Sequence, residues 1–378
     1  MDHFSKGVPM PAVSFRISIL SAFSPKMTQG LFFAFFAFFL STSVFSEDWL
    51  DVRDTPNDVV PVIFDTDIGG DIDDAFALGI LHQMQARGKC KLLAVTVSRC
   101  RGNSGDYVRA FNTNFGSPDI PIATNLTNPI NERGHYSDQT LALKNEDGSP
   151  RYPVPAYTLH EPTYLLRKVL ANAKDHSVVL IQVGEATNTA AFLDSPPDEL
   201  SPLTGRELAA RKVRLLSVMG GAFGTQDLRW NEHREHNFIM DLPAAKKLVA
   251  EWPGKIVFSG YETGDAIRLS VCGLQNDLLQ PSPNLLWDSY CEWCKACGMK
   301  RPDHPRPSWD LTSCFFVLRP EKEREYYSLT PPGTVTVLED GRTRFTPSEN
   351  GKHRVFITTP EQNIRVQEAF VNLIGERH

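Results

Sequence analysis

From about residue 59 onward, short apolar runs alternate with amphipathic stretches. Val59–Phe64, Lys91–Ser98, Ile120–Ala123, Ser177–Val183, Val213–Val218 and Lys255–Ser259 are nearly continuous runs of β-branched and aliphatic residues. Such runs, without polar alternation, mark strands covered on both faces. Between them, Asp74–Gln85, Asp106–Phe115, Pro162–Ala173, Asn188–Leu193 and Leu242–Glu251 carry helical periodicity, with Asp74 and Thr187-Asn188 standing where helix caps belong. Strand and helix in alternation predict a parallel sheet with right-handed crossovers. The expected fold class is α/β: an open, mostly parallel, Rossmann-like sheet flanked by helices. Residues 128–158 are polar and rich in Gly, Pro and Asn, and predict a long loop that is either a functional rim or mobile. Residues 275–309 predict a helix and then a loop. Thr334–Val337 and Arg354–Thr358 alternate polar and β-branched residues, and predict a small antiparallel β-hairpin near the C-terminus. No linker interrupts the pattern, so residues 47–378 are expected to form a single domain.

The N-terminus follows a different pattern. Leu31–Leu40 is solidly apolar, Lys26 precedes it, and Val44-Phe-Ser46 places small residues where signal peptidases read. The run is too short for a confident membrane span. Residues 1–46 are therefore expected to be a secretory signal peptide, with Met27 as an alternative start, and the remainder to be exported to a periplasmic or extracellular space. An uncleaved anchor is the competing reading.

Composition narrows the class. With 45 acidic and 39 basic residues and a net charge of -6, the chain has no electrostatic case for nucleic acid. Seven cysteines leave at least one thiol unpaired. Cys291-x-x-Cys294-x-x-Cys297 has the spacing of a cluster ligand run, but equally that of one helix face, and no fourth ligand stands nearby.

The chemistry concentrates in Phe64-Asp65-Thr66-Asp67-Ile68-Gly69-Gly70-Asp71-Ile72-Asp73-Asp74, where an apolar run ends in five aspartates within ten residues. Packed at the end of a buried strand, they repel one another and lose solvation. A hard cation with oxygen ligands offsets that cost, and the carboxyl ends of strands are where open α/β sheets hold ligands. An EF-hand fits poorly, because position 12 of a loop beginning at Asp65 is Phe76 and not Glu. Taken alone, one or two aspartates here would be a turn and a cap, Asn103 a turn residue, and Glu235 and Asn237 part of a solvated loop.

The ordered set of motifs resembles the inosine–uridine preferring nucleoside hydrolase family. It runs from Asp65-Thr-Asp67 and Asp73-Asp74-Ala-Phe-Ala-Leu78 through Thr96-Val97 and Asn103 to Thr187-Asn188. Met219-Gly-Gly-Ala222, Glu235-His-Asn237 and Asp310 complete it. The resemblance implies hydrolysis of the N-glycosidic bond of ribonucleosides or related N-ribosides by metal-activated water. It implies Ca²⁺ held by Asp67, Asp74, the Thr187 main-chain carbonyl and Asp310, with Asp67 also the general base. It implies that Asp73, Asn103, Glu235 and Asn237 bind the ribose hydroxyls, that Met219 lies under the sugar, and that Asp65 orients its neighbours. The partner would be a small-molecule riboside, with a homo-oligomer as a further option and membrane contact only through an uncleaved signal.

Two departures from the family pattern stand out. The Ile68–Ile72 loop is two residues longer than in the best-known members, so Asp71 and Asp73 compete for one role. Trp309 replaces the usual histidine before the last aspartate, which removes a proton donor to the leaving base and offers a stacking surface instead. Two alternatives remain open: a non-catalytic riboside-binding protein on the same scaffold, and a phosphatase of the haloacid dehalogenase type, which also carries Asp-x-Asp after a strand.

Overall fold

The computed structural model describes residues 59–99, 102–127, 134–270, 274–275, 284–319 and 325–375. The expected signal segment, Cys100 and Cys272 lie outside the described residues. Leu50–His378 forms one compact unit.

The apolar runs form the middle of the sheet. They are β1 (Val60–Thr66), β2 (Cys90–Val97), β3 (Ile122–Thr124), β5 (Val178–Gln182), β6 (Val213–Met219) and β7 (Ile256–Ser259), each within two residues of its expected bounds. The short β4 (Leu159–His160) adds an edge. From β13 (His353–Ile357) the order is β13-β7-β6-β5-β1-β2-β3-β4, every neighbour parallel. All of these strands therefore point their carboxyl ends to one edge.

Two apolar layers cover the sheet. One holds Phe64, Phe76, Leu78 and Phe111 together with Leu311, Phe315 and Phe370. The other holds Ile63, Leu166, Leu180, Phe192, Leu216 and Phe258. This two-sided burial explains why the central strands show no polar alternation. The expected helices appear as α1 (Asp73–Ala86), α2 (Ser104–Asn114), α4 (Pro162–Ala171), α5 (Thr187–Asp194) and α8 (Leu242–Glu251). In the long loop lies a short α3 (Ser137–Leu141). Beyond β8 (Arg268–Leu269), α10 (Leu285–Ala296) is the helix expected before Asp310, and β9 (Arg306–Pro307) pairs back onto β8. It leads into α11 (Trp309–Leu318), which is buried along nearly its whole length and packs on α1.

The structure differs from expectation at the C-terminus. A hairpin is present, but its arms are β11 (Gly333–Val337) and β12 (Thr343–Pro347). Arg354–Thr358 contributes instead to β13, a buried strand parallel to β7. A short β10 (Ser328–Leu329) pairs antiparallel with β13. The chain then enters α12 (Pro360–Gly375), which the pattern reading did not include. The helix caps also differ. The N-caps of α1 and α5 are Ile72 and Ala186, neither with a side-chain cap, so Asp74 and Thr187 lie inside the first turns and their oxygens are directed elsewhere.

Candidate active site

The site forms at the carboxyl edge because two helices begin there face to face. Asp73 and Asp74 open α1, and Asp310 is the second residue of α11. Helix N-termini favour carboxylates, and here the two first turns bring three of them together. Asp73, Asp74 and Asp310 are buried, and each offers a carboxylate oxygen within 4.8 Å of the others. Burial first, and then the charge of the neighbouring aspartates, pushes Asp73 and Asp310 well above the usual carboxylate range. The Asp310 amide donates to Asp73 Oδ2 at 3.2 Å. Thr66 Oγ1 donates to Asp74 Oδ1 and accepts from the Ile68 amide at 3.2 Å. Three hard oxygen donors that repel one another in a buried pocket fit a divalent cation such as Ca²⁺. Among the described residues this is the only such grouping of His, Cys, Asp or Glu.

Asp67 lines the same cavity and is 8% exposed, its charge acting on Asp73, Asp310 and Glu235. Asp65 sits behind it. Its Oδ1 accepts from Thr96 Oγ1 and from Asn188 Nδ2 at 2.7 Å, and burial raises it to about 7. The Ile68–Ile72 loop is fixed from outside: Gly69, at φ 112°, donates its amide to the Tyr136 hydroxyl oxygen and accepts the His135 amide on its carbonyl. The loop separates the roles that the sequence left open. Asp73 joins the acidic trio, whereas Asp71 forms a side-on ion pair with Arg306, with Nε to Oδ1 at 2.9 Å and Nη2 to Oδ2.

Across the cavity, Glu235 caps α7 (His236–Met240), accepting the amides of Gly221 (3.1 Å), Asn237 (2.7 Å) and Phe238 (3.1 Å). Burial outweighs those bonds and raises Glu235 to about 7. Asn237 Nδ2 donates to the Val183 carbonyl at 2.7 Å and lies 3.2 Å from Met219 Sδ, so β5, β6 and α7 meet under one face of the cavity. Trp309 donates its indole N–H to the Tyr261 carbonyl at 3.0 Å and packs on the Tyr261 ring.

The cavity, about 880 Å³, thus gathers Asp67, Asp73, Asp74, Met219, Glu235, Asn237, Trp309 and Asp310. Asn103 and Thr187 stand outside its wall. The Asn103 amide bonds Asp138 at 2.8 Å, and Thr187 Oγ1 donates to Asp241 at 2.6 Å. The sequence reading missed Tyr261, Trp293, Arg306, His135 and His236 in the wall. Arg306 and Tyr261 carried no motif, because their relevance arises from contacts distant in sequence: Arg306 meets Asp71 in the Ile68–Ile72 loop, and Tyr261 meets Trp309 at the start of α11. Cys297 also reaches the wall, but Cys291, Cys294 and Cys297 do not converge on a common centre; they follow one helix and its cap.

A mostly parallel α/β sheet with a carboxylate-lined, partly aromatic cavity at its carboxyl edge is the arrangement that the resemblance to nucleoside hydrolases implies. The inosine-uridine preferring nucleoside hydrolase profile matches residues 62–369, and the chain belongs to that family. It is by class an N-ribosyl hydrolase acting on small nucleosides. A sequence comparison with curated proteins gives no match. Solved structures share the fold. The plant nucleoside hydrolase PpNRh1 superposes with TM-score 0.60 at 18% identity, covering 84% of this chain and 99% of that one. The inosine-uridine preferring nucleoside hydrolase from Bacillus anthracis gives 0.59 at 19%, covering 83% and 100%. The type III effector protein XopQ, complexed with adenosine diphosphate ribose, gives 0.59 at 14%, covering 87% and 97%.

Proposed function

We propose that the chain is an exported, calcium-dependent hydrolase that cleaves the N-glycosidic bond of ribonucleosides or related N-ribosides to free base and ribose. The observation that carries this reading is the convergence of Asp73, Asp74 and Asp310 in the cavity that also holds Asp67, Glu235 and Asn237. Asp74 and Asp310, with Asp67, would hold the ion, and Asp73, the third of the converging carboxylates, would stand between ion and sugar. A bound Ca²⁺ would orient water and stabilise its deprotonated form. Asp67 takes the proton as the water oxygen bonds to C1′. Asp73, Glu235 and Asn237 offer acceptors and donors suited to adjacent sugar hydroxyls. The carboxylates around the ring favour the positive charge that an oxocarbenium-like sugar develops. A 2′-deoxyriboside leaves buried polar groups unpaired and is expected to be a poor substrate, by up to ~10⁴-fold.

Export rests on the 1–46 segment. No helix among the described residues is long and apolar enough to cross a membrane. A second reading, a non-catalytic riboside receptor, is favoured by Trp309 standing where a leaving-group acid is expected. The experiment that separates the two is turnover of a riboside panel together with 4-nitrophenyl riboside, whose leaving group needs no protonation. Base release from any member supports the hydrolase; tight binding without release from any member, the activated one included, establishes the receptor.

A further inference from the structure

The cavity wall contains six carboxylates, Asp67, Asp71, Asp73, Asp74, Glu235 and Asp310. Such a lining suits a positive sugar and opposes a departing base, which carries the electron pair of the broken C1′–N bond. Something in the wall must accept that negative charge. Trp309 cannot, because an indole N–H is a donor of very high pKa and here is already given to the Tyr261 carbonyl. Arg306 is the only arginine or lysine among the described residues of the wall.

Its setting is that of a held tool rather than a free surface chain. The guanidinium lies 4.8 Å from the Trp293 ring centroid and 5.1 Å from that of Trp309. Asp71 takes only the Nε and Nη2 edge. Nη1 has no acceptor among the described residues and is not one of the buried polar atoms lacking a partner, so it stays open to solvent. The second edge of the fork, one N–H from Nη1 and one from Nη2, is therefore free. Arg306 lies four residues before Asp310, at the start of the segment that carries the last acidic ligand candidate. Asp71 is within the lengthened loop, so the extra residues supply the carboxylate that orients the fork.

We propose that Arg306, oriented by Asp71, is the catalytic residue that stabilises the departing base, in place of the proton donor that Trp309 displaces. This rests on the hydrolase reading above. The step balances simply. Water adds to C1′ and loses a proton to Asp67; the C1′–N bond breaks with its electron pair going to the base. The base leaves as an anion hydrogen-bonded to the Arg306 fork and takes a proton from solvent, to which Asp67 returns its own. A planar fork of two N–H donors matches the N7 and O6 acceptors of a 6-oxopurine and meets a donor instead in a 6-aminopurine. Inosine and guanosine should therefore be preferred to adenosine.

The test compares wild-type protein with Arg306→Met, Arg306→Lys and Arg306→Ala, using inosine, adenosine and 4-nitrophenyl riboside. Losing one preorganised donor lowers kcat by about 10²–10³-fold. That loss is expected for inosine in Arg306→Met, with 4-nitrophenyl riboside changed less than about fivefold and the inosine-to-adenosine ratio falling toward one. Arg306→Lys should recover part of the inosine rate, and added guanidinium ion should partly rescue Arg306→Ala. Equal loss on inosine and the nitrophenyl compound, or no loss on either, overturns the role of Arg306 while leaving the hydrolase reading intact. A wild-type protein inactive on all three compounds overturns both.

Discussion

At the residue scale, the sequence disclosed the acids and concealed their division of labour. The density of aspartates after an apolar strand is itself a physical signal, because it is too costly to keep without a ligand. Which of Asp71 and Asp73 enters the trio was not legible, because it depends on how a loop with two glycines folds over Tyr136 and Arg306. Asp67 lies at the cavity with its neighbours raised partly by its charge. Asp67→Ala should lower kcat by at least about 10²–10⁴-fold, with circular dichroism unchanged; turnover close to wild type would remove it as the base. Trp309→Ala should alter selection among bases more than affinity for the ribose, as read from kcat/KM over several ribosides, and uniform loss would assign Trp309 to packing alone. Glu262 gives a prediction independent of catalysis. It is half-buried, with Oε1 taking the Phe223 amide at 2.9 Å and a shielded Oε2 without a partner, and desolvation of the carboxyl raises it from the usual value to about 7. A carboxyl raised on folding binds its proton more tightly in the native state, so its contribution is present below about pH 4.5 and is lost as pH rises toward 7. Glu262→Gln should flatten the fall in melting temperature over that interval, a difference of a few kcal/mol at most. An unchanged slope would mean the charge is solvated.

At the element scale, the strands of the sheet centre were legible because two-sided burial demands apolar residues without alternation, as in Val178–Gln182. The C-terminal hairpin was legible in kind but not in partner. The outer arm Thr343–Pro347 is mostly exposed and carries a weak pattern, whereas the buried Arg354–Ile357 stretch belongs to the central sheet. Helix α12 escaped although Gln362, Val366, Phe370 and Ile374 fall on one face, a spacing that could have revealed it. The helix Gly205–Lys212 likewise announces itself by the Thr204–Glu207 capping box. The site depends on how closely the ends of β5 and β1 approach. A Cβ at Gly184 would lie 2.6 Å from the Asp67 amide nitrogen, a backbone atom that cannot step aside cheaply. Gly184→Ala should destabilise by about 1–3 kcal/mol and weaken calcium binding together with it, measured by thermal melts with and without the ion. Normal affinity in a normally stable variant would show that this approach is dispensable.

At the scale of the whole molecule, an all-parallel run of strands directs the loop that bears Asp67, Asp71, Asp73 and Asp74 to one edge, and the packing of α11 on α1 brings Asp310 to meet them there. That arrangement follows from the strand–helix alternation and was legible; the aromatic and arginine wall was not, because it is built from segments without a repeating pattern. An ion that binds only the folded state stabilises it by mass action, so chelation should lower the melting temperature by several degrees, reversibly. If residues 1–46 are removed on export, the secreted product should begin at Glu47, which N-terminal sequencing reads directly; a product retaining Leu31–Leu40 would indicate an anchor instead. The most direct measurement of all combines metal content with turnover. Protein stripped of metal, verified by elemental analysis, is titrated with Ca²⁺ while base release from a riboside is followed. The carboxylate-held ion predicts no turnover in the stripped protein and full recovery at one Ca²⁺ per chain. Undiminished hydrolysis by the verified metal-free protein would contradict it.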